Sequence, residues 1–284
     1  KIKTFTVAFQ DRLFDESKFA KKISNHLKTD HHTVLLDLDK LNETIEKIPE
    51  IYDEPFADSS QIPTYLICKN IKKKVTVALS GDGGDEIFGG YSRYIWAKQF
   101  FDFQKKFGKN FSKIISSLIN LFPNNFYDIL SQLLPVNIRP REFGHRIKKI
   151  AKILESKDET EIYSKLISTH NLSHLLLNYD EEDSVSFKEE LQDYSFVEKM
   201  QIHDLENYLP NDILVKVDRA SMFNSLEIRS PLIDKRVIEY TLKNCRTFHN
   251  IKANKGKSIL RKMLNQYLPQ NLYQRPKMGF GIPI

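Results

Sequence analysis

The segment Val75-Thr-Val-Ala-Leu-Ser-Gly-Asp-Gly-Gly-Asp-Glu-Ile-Phe88 decides the fold. Val75 to Leu79 are five apolar or β-branched residues, a run short enough for a strand buried on both faces. The run stops at Ser80, and the seven positions from Ser80 to Glu86 hold three glycines and three carboxylates. Ile87-Phe88 then resumes an apolar pattern that predicts a helix. A strand that enters a Gly-rich turn and then a helix presents backbone N–H groups at a helix N-terminus, where anions are favoured. Asp82, Asp85 and Glu86 would repel a bare phosphate. Mg²⁺, which binds through one or two carboxylates plus substrate phosphates, resolves that conflict. From residue types alone, a solvated acidic turn stands beside this reading.

Upstream, Lys3 to Phe9 reads as a strand, and Phe19, Ile23 and Leu27 mark a helix from about Asp15 to Leu27. Thr33 to Leu36 reads as a second strand. This β-α-β order predicts a parallel pair with a right-handed crossover. Helices over Leu41 to Ile48 and Ile62 to Lys72 lead into Val75, so the first ninety residues or so form an α/β unit. Ligands of open parallel sheets sit at the carboxyl ends of the strands, which places Val7 to Phe9 and Ser80 to Asp85 at one edge. Between them lies the polar stretch Ile51 to Tyr65, with Pro63 suited to a helix's first turn. Asp58, Ser59 and Ser60 are ordinary residues for a helix cap there.

Downstream, strand signals vanish from Ile95 to about Leu209. Ile114, Leu118 and Phe122 recur at helical spacing, with breaks at Pro123, Pro135 and Pro140. Trp96 and the phenylalanines of this region read as core, and Asp180 to Asp183 as an exposed loop. His170 and His174 are four apart but lack the glutamate of a zinc-binding HExxH helix, and His145 and His203 carry no assigned chemistry. Asn211 to Phe223 reads as a helix with Asp212, Lys216 and Arg219 along one face. Glu227 and Arg229 follow near a turn with apolar neighbours, where unpaired charges are costly, so they are expected to pair. Lys255-Gly-Lys-Ser258 resembles the end of a P-loop but lacks its earlier glycine and a preceding buried strand. A helix over Ile259 to Leu264 ends before Pro269, and Arg275 to Ile284 is a Gly/Pro-rich loop containing Lys277.

Of 284 residues, 40% are hydrophobic and 28% charged, ordinary for a globular chain. Forty-three Lys and Arg against 37 Asp and Glu leave a charge of +6. The lysine clusters at 72–74, 105–109 and 148–152 lack the aromatic interleaving of a nucleic-acid module and read as solvated helix faces. No apolar run approaches the roughly 20 residues of a membrane span, and no signal segment opens the chain, so a cytoplasmic location is expected. Cys68 and Cys245 are far apart without CxxC spacing, which predicts buried free thiols.

The wording of three stretches carries a resemblance. Ser80 to Tyr94 (SGDGGDEIFGGYSRY), Val217 to Asp234 (VDRASMFNSLEIRSPLID) and Arg275 to Phe280 (RPKMGF) closely resemble the C-terminal synthetase domain of glutamine-dependent asparagine synthetases. The resemblance runs along nearly the whole chain as one domain, with residues 1–94 as the α/β nucleotide-binding part and 95–284 as the mainly helical part. It implies a parallel sheet of the adenine nucleotide alpha hydrolase-like (N-type ATP pyrophosphatase) type followed by a large helical region. The family's SGGxDS pyrophosphate loop and N-terminal cysteine glutaminase domain are not in these residues, so the resemblance implies a piece trimmed at both ends and inactive alone.

By the same resemblance, Val7, Ser80 and Gly81 contact ATP, Asp82 supports formation of the intermediate, and Asp85 holds Mg²⁺. Lys277 neutralises charge on the transferring phosphorus. Asp58 and Ser60 lie near the amino-acid substrate, with Glu227 and Arg229 as further substrate contacts. Some family members carry Glu at the position of Asp82. The implied reaction converts aspartate to asparagine through β-aspartyl-AMP, with ATP and Mg²⁺, and with ammonia supplied by a glutaminase domain. The implied partners are small molecules and a second copy in a homodimer, with neither nucleic acid nor membrane. Competing readings are a relative that amidates another carboxylate, such as a sugar acid or β-lactam-type precursor, and a non-catalytic binding module that keeps the fold.

Overall fold

A computed structural model describes residues 1–9, 15–36, 39–133, 135, 142–168, 185–244, 251 and 256–274. The chain folds as two compact units, one made of Lys1–Gly89 with Asp204–Ile284, the other of Gly90–His203.

In the first unit, β1 (Lys3–Ala8) and β2 (Asp30–Leu35) pair in parallel, with Val7 opposite Val34, and α1 (Ser17–Leu27) connects them. This is the expected β-α-β order. Two helices follow, α2 (Asp39–Tyr52) and α3 (Gln61–Ile71). Pro63 falls in the first turn of α3, where its missing N–H forfeits no helical bond. The run Val75 to Leu79 contributes β3 (Val77–Leu79), which leads into the four-residue α4 (Gly84–Ile87).

The second unit is helical among its described residues, as the periodicity predicts. It comprises α5 (Ser92–Phe107), α6 (Lys109–Asn120), α7 (Asn124–Ser131), α8 (Phe143–Leu154), α9 (Glu159–Ile167) and α10 (Phe196–His203). Tyr94, Ala97, Ala151, Ile162, Tyr163 and Met200 are fully buried and form its interior. The expectation that Trp96 and the phenylalanines are core is corrected here, since Trp96, Phe107, Phe111, Phe122 and Phe126 are all exposed. On α6 the reason is visible: Ser112 and Ser116 are turned fully inward, and Ser116 donates to Glu155 Oε1 at 2.6 Å. The apolar stripe of the helix therefore faces outward.

The chain then returns to the first unit. A π-helical run, Asp204–Leu214, contains Pro210, which cannot donate to a regular α-ladder. It leads into α11 (Val215–Phe223) and β4 (Glu227–Arg229), followed by α12 (Lys235–Asn244) and α13 (Ser258–Leu264). β4 pairs in parallel with β3, Ala78 opposite Ile228. Among the described residues the strands form two parallel pairs rather than one continuous sheet.

Two apolar clusters hold the unit together. Val7, Leu36, Ile51, Tyr52, Ile62, Tyr65 and Leu66 pack with Ala220 of α11. Cys68, Ile71 and Leu226 form the second cluster, on which Phe5 of β1, Ala78 of β3 and Ile228 of β4 converge. The reading of β3 as buried on both faces is corrected: Val77 is 41% and Leu79 74% exposed. A short apolar run does not report how many of its faces are covered. No helix among the described residues is long and apolar enough to cross a membrane.

Candidate active site

β3 delivers Ser80 to the turn, and β4 fixes it. The Ser80 N–H donates to the Arg229 carbonyl at 2.9 Å, continuing the β3–β4 ladder by one residue. Its Oγ donates to Asp82 Oδ2 at 2.7 Å and lies 2.7 Å from Ser230 Oγ. One hydroxyl carries one proton, so the Ser230 hydroxyl must be the donor to Ser80, giving a Ser230–Ser80–Asp82 chain. Every O–H in it has an acceptor.

The glycines are specified by space. Gly83 sits at φ +81°, and a Cβ there would lie 2.2 Å from Ile233 Cγ2. At Gly84 a Cβ would meet Leu232 Cδ1 at 2.9 Å, so Leu232 and Ile233 close over the turn. Gly81 is different, because among the described residues a Cβ there would meet nothing within 4 Å. The backbone beside Ser80 is open to a ligand.

The three carboxylates separate by environment. Glu86 is buried, whereas Asp82 and Asp85 are half-buried. Asp85 Oδ2 is paired with Lys257 Nζ at 3.0 Å, and the Lys257 N–H donates to the Phe88 carbonyl at 3.0 Å. No three His, Cys, Asp or Glu side chains converge as a metal cage among the described residues. Two half-buried carboxylates beside open backbone nevertheless fit Mg²⁺ in the form in which it usually binds, with substrate phosphates completing the shell. Asp85 is the residue that would hold it, with Asp82 beside it already engaged by Ser80.

Val7 is buried in the first cluster, so its side chain is not a contact group. Its backbone is better placed. The Leu36 N–H donates to the Ala8 carbonyl at 2.9 Å and the Asp30 N–H to the Ile2 carbonyl at 2.8 Å. Alternate residues of a parallel strand bond to opposite sides, so the N–H and C=O of Val7 face the edge of β1 away from β2.

Asp58 and Ser60 come together at the start of α3. Asp58 Oδ1 accepts from the Ser60 N–H at 2.8 Å and from Ser60 Oγ at 2.7 Å, while Lys216 Nζ donates to Oδ2 at 2.5 Å. The Lys216 and Asp58 side chains are 9% and 18% exposed. Burial pushes the Asp58 carboxyl up, but the Lys216 ammonium and the two Ser60 donors outweigh it and hold it below the usual carboxylate value. Tyr52 donates to the Lys216 carbonyl at 3.3 Å, and its hydroxyl is pushed up by burial and then by Cys68 and Asp58. The buried Cys68 thiol is raised to about 12, by burial first and by the Asp82 charge second.

Glu227 and Arg229 pair as expected, Nε to Oε1 at 2.7 Å. They do so in solvent, with side chains 52% and 66% exposed, rather than among apolar neighbours. Their strand β4 contributes its backbone to Ser80. Lys277 lies outside the described residues, as do His170, His174, Asp180 to Asp183 and Cys245. Sequence reasoning missed three groups: Ser230, Lys257 and the bond from Lys216 to Asp58. Ser230 stood within a quoted motif, and Lys257 stood in the Lys-Gly-Lys-Ser run set aside as a failed P-loop.

The family model described as asparagine synthase matches residues 1–284. Asparagine synthetase [glutamine-hydrolyzing] 1 of Bacillus subtilis is 31% identical over 288 residues, covering 100% of this chain and 43% of that protein. Putative asparagine synthetase [glutamine-hydrolyzing] 2 of Methanocaldococcus jannaschii is 34% identical over 228 residues, 78% of this chain and 40% of the relative. A putative asparagine synthetase of Mycobacterium tuberculosis is 27% identical, with 99% and 41% covered. The chain thus spans about two fifths of the length of these relatives. With the match over every residue, the chain belongs to the asparagine synthase family.

Proposed function

We propose that this chain is the adenylating and amide-forming part of an ATP-dependent asparagine synthetase. A side-chain carboxylate oxygen of aspartate attacks the α-phosphorus of ATP and pyrophosphate leaves, giving β-aspartyl-AMP. Ammonia, with glutamine as its source, then attacks the activated carbonyl carbon, and AMP leaves. The reading rests chiefly on the turn after β3, where Ser80 is locked between Ser230 and Asp82 while the backbone at Gly81 stays open.

In this reading the Ser80 hydroxyl and the backbone at Gly81 bind phosphate oxygens, and the outward N–H and C=O of Val7 bind the nucleotide. Bound Mg²⁺ supplies neutralisation of the departing pyrophosphate. Asp85 holds the metal, and Lys257 balances Asp85 when no nucleotide is present. Asp82, oriented by Ser80, lies beside the reacting carboxylate and supports adenylate formation. Asp58, kept ionised by Lys216 and Ser60, offers a fixed negative charge for the α-amino group of aspartate. Catalysis of this kind is positioning and charge stabilisation.

The test is pyrophosphate release by the full-length protein with ATP, Mg²⁺ and a panel of carboxylates. Release dependent on aspartate, and asparagine formed when ammonia or glutamine is added, is expected. Release driven instead by a sugar acid or β-amino acid overturns the substrate assignment. No release with any carboxylate overturns the enzyme reading.

A further inference from the structure

A cavity of about 690 Å³ is built wholly within the helical unit, and it shares no residue with the turn after β3. Its volume falls in the range of small-molecule sites. Phe101 and Phe187 form its apolar wall. Both rings pack against Phe196, with centroids 5.5 Å and 6.2 Å away, so the wall is set by the interior of the unit.

Gln104 supplies the inner polar atom. It is 6% exposed and lines the cavity. Its Nε2 donates to the carbonyls of Leu154 at 3.1 Å and Ser156 at 3.2 Å. Two carbonyl acceptors fix the orientation of the carboxamide, since only its NH₂ can face them. With both hydrogens used, Oε1 is the atom that Gln104 offers a ligand.

The rim is cationic. Lys105, Lys109 and Lys157 line it, and among the described residues none of the three has a carboxylate within ion-pair distance. Outside the lining, burial pushes the Glu161 carboxyl up, but Lys165 first and Lys157 as well hold it below the usual value, while two of the three lining carboxylates are engaged elsewhere. Glu159 is paired with Lys199 at 2.9 Å, and Asp158 caps α9 by accepting from the Glu161 N–H at 2.8 Å. Lys188 and Glu189 add one charge of each sign. Five lysines against three carboxylates leave the cavity with a charge of +2.

We propose that this cavity binds a small organic anion with a planar aromatic or heterocyclic body that carries an N–H or O–H donor. The ring lies against Phe101 and Phe187, the donor bonds to Gln104 Oε1, and the anionic group meets Lys105, Lys109 and Lys157. Charge, apolar wall and inner acceptor together select this class over neutral aromatics and over bare inorganic anions. The site is separate from the proposed synthetase chemistry and stands or falls independently of it.

The probe is 8-anilinonaphthalene-1-sulfonate, which has an aromatic body, one N–H and one sulfonate, with N-phenyl-1-naphthylamine as its uncharged counterpart. Binding is followed by the methyl resonance of Thr160, a lining residue remote from the turn after β3 in sequence. Saturable movement of that resonance is expected. The triple variant K105E/K109E/K157E is expected to weaken the sulfonate by about tenfold or more and leave the neutral amine unchanged. An immobile Thr160 methyl, equal sulfonate affinity in the variant, or equal loss of both probes overturns the proposal. If circular dichroism shows the variant unfolded, the wild-type chain decides: sulfonate affinity that falls with added salt supports the site, and salt-independent affinity overturns it.

Discussion

Lys257 Nζ and Asp85 Oδ2, 3.0 Å apart, join the Gly-rich turn after β3 to the residue preceding α13. The pair gives the proposed metal carboxylate a resident counter-charge. A ligand ion must replace or share that ammonium. Asp85→Asn in the full-length enzyme is expected to lower aspartate-dependent pyrophosphate release by at least about 100-fold, because a neutral amide is a weaker ligand for a hard cation. Glutamine hydrolysis, measured in parallel, should persist. Unchanged pyrophosphate release removes Asp85 from the site.

The Lys216–Asp58 bond ties α11 to the start of α3 across a mostly buried gap. Lys216→Met leaves the Asp58 carboxylate with only the Ser60 donors, and it is expected to destabilise the fold by about 3 kcal/mol in urea unfolding. A change below about 0.5 kcal/mol would mean that the pair behaves like a surface bridge.

The same carboxylate sets a pH dependence. Its folded pKa is held below the ordinary value of 3.8, so the folded chain resists protonation there more than the unfolded chain does. The stabilisation is fully present above that ordinary value and is lost as pH falls through the lowered one. The urea midpoint should therefore drop on acidification below about pH 4, and Asp58→Asn should flatten this part of the profile. Equal slopes for the variant and wild type count against the assignment.

Gly83→Ala combines a left-handed backbone with a Cβ placed 2.2 Å from Ile233 Cγ2. The expected cost is about 2 kcal/mol or more. Adding Ile233→Ala should recover the part due to overlap and leave the part due to backbone strain, a coupling that a double-mutant cycle reads directly. Additive effects would place Ile233 away from the turn.

Lys277 is proposed from the Arg275 to Phe280 wording alone, since it lies outside the described residues. If its ammonium stabilises the crowded phosphorus, Lys277→Ala should lower kcat by about two to three orders of magnitude. Arginine should not restore the rate fully, because a planar fork replaces a compact charge. Single-turnover pyrophosphate release within threefold of wild type would end the assignment.

Residue order alone determined the local elements and the place of the glycine-rich turn between β3 and α4. The β-α-β opening followed from apolar spacing, whereas residue types alone left Ser80 to Asp85 between an anion-binding turn and a solvated acidic one. The wording of the motifs pointed to the family, and the match over residues 1–284 bears that out. These signals are local, each carried by neighbours within one or two turns of chain.

Tertiary structure decided what lies against the turn. β3 is completed by residues 227–229, Asp82 is oriented through Ser230, Asp85 meets Lys257, and Asp58 meets Lys216. None of these partners has a periodic signature. A single lysine or serine reads as solvated until packing removes its water, and what brings it in is the apolar clustering of Leu226 and Ala220 beneath β1 and α3. The outward stripe on α6 arose in the same way. Helical spacing marks an apolar face, but the fit of Ser112 and Ser116 against neighbouring helices decided which side was buried.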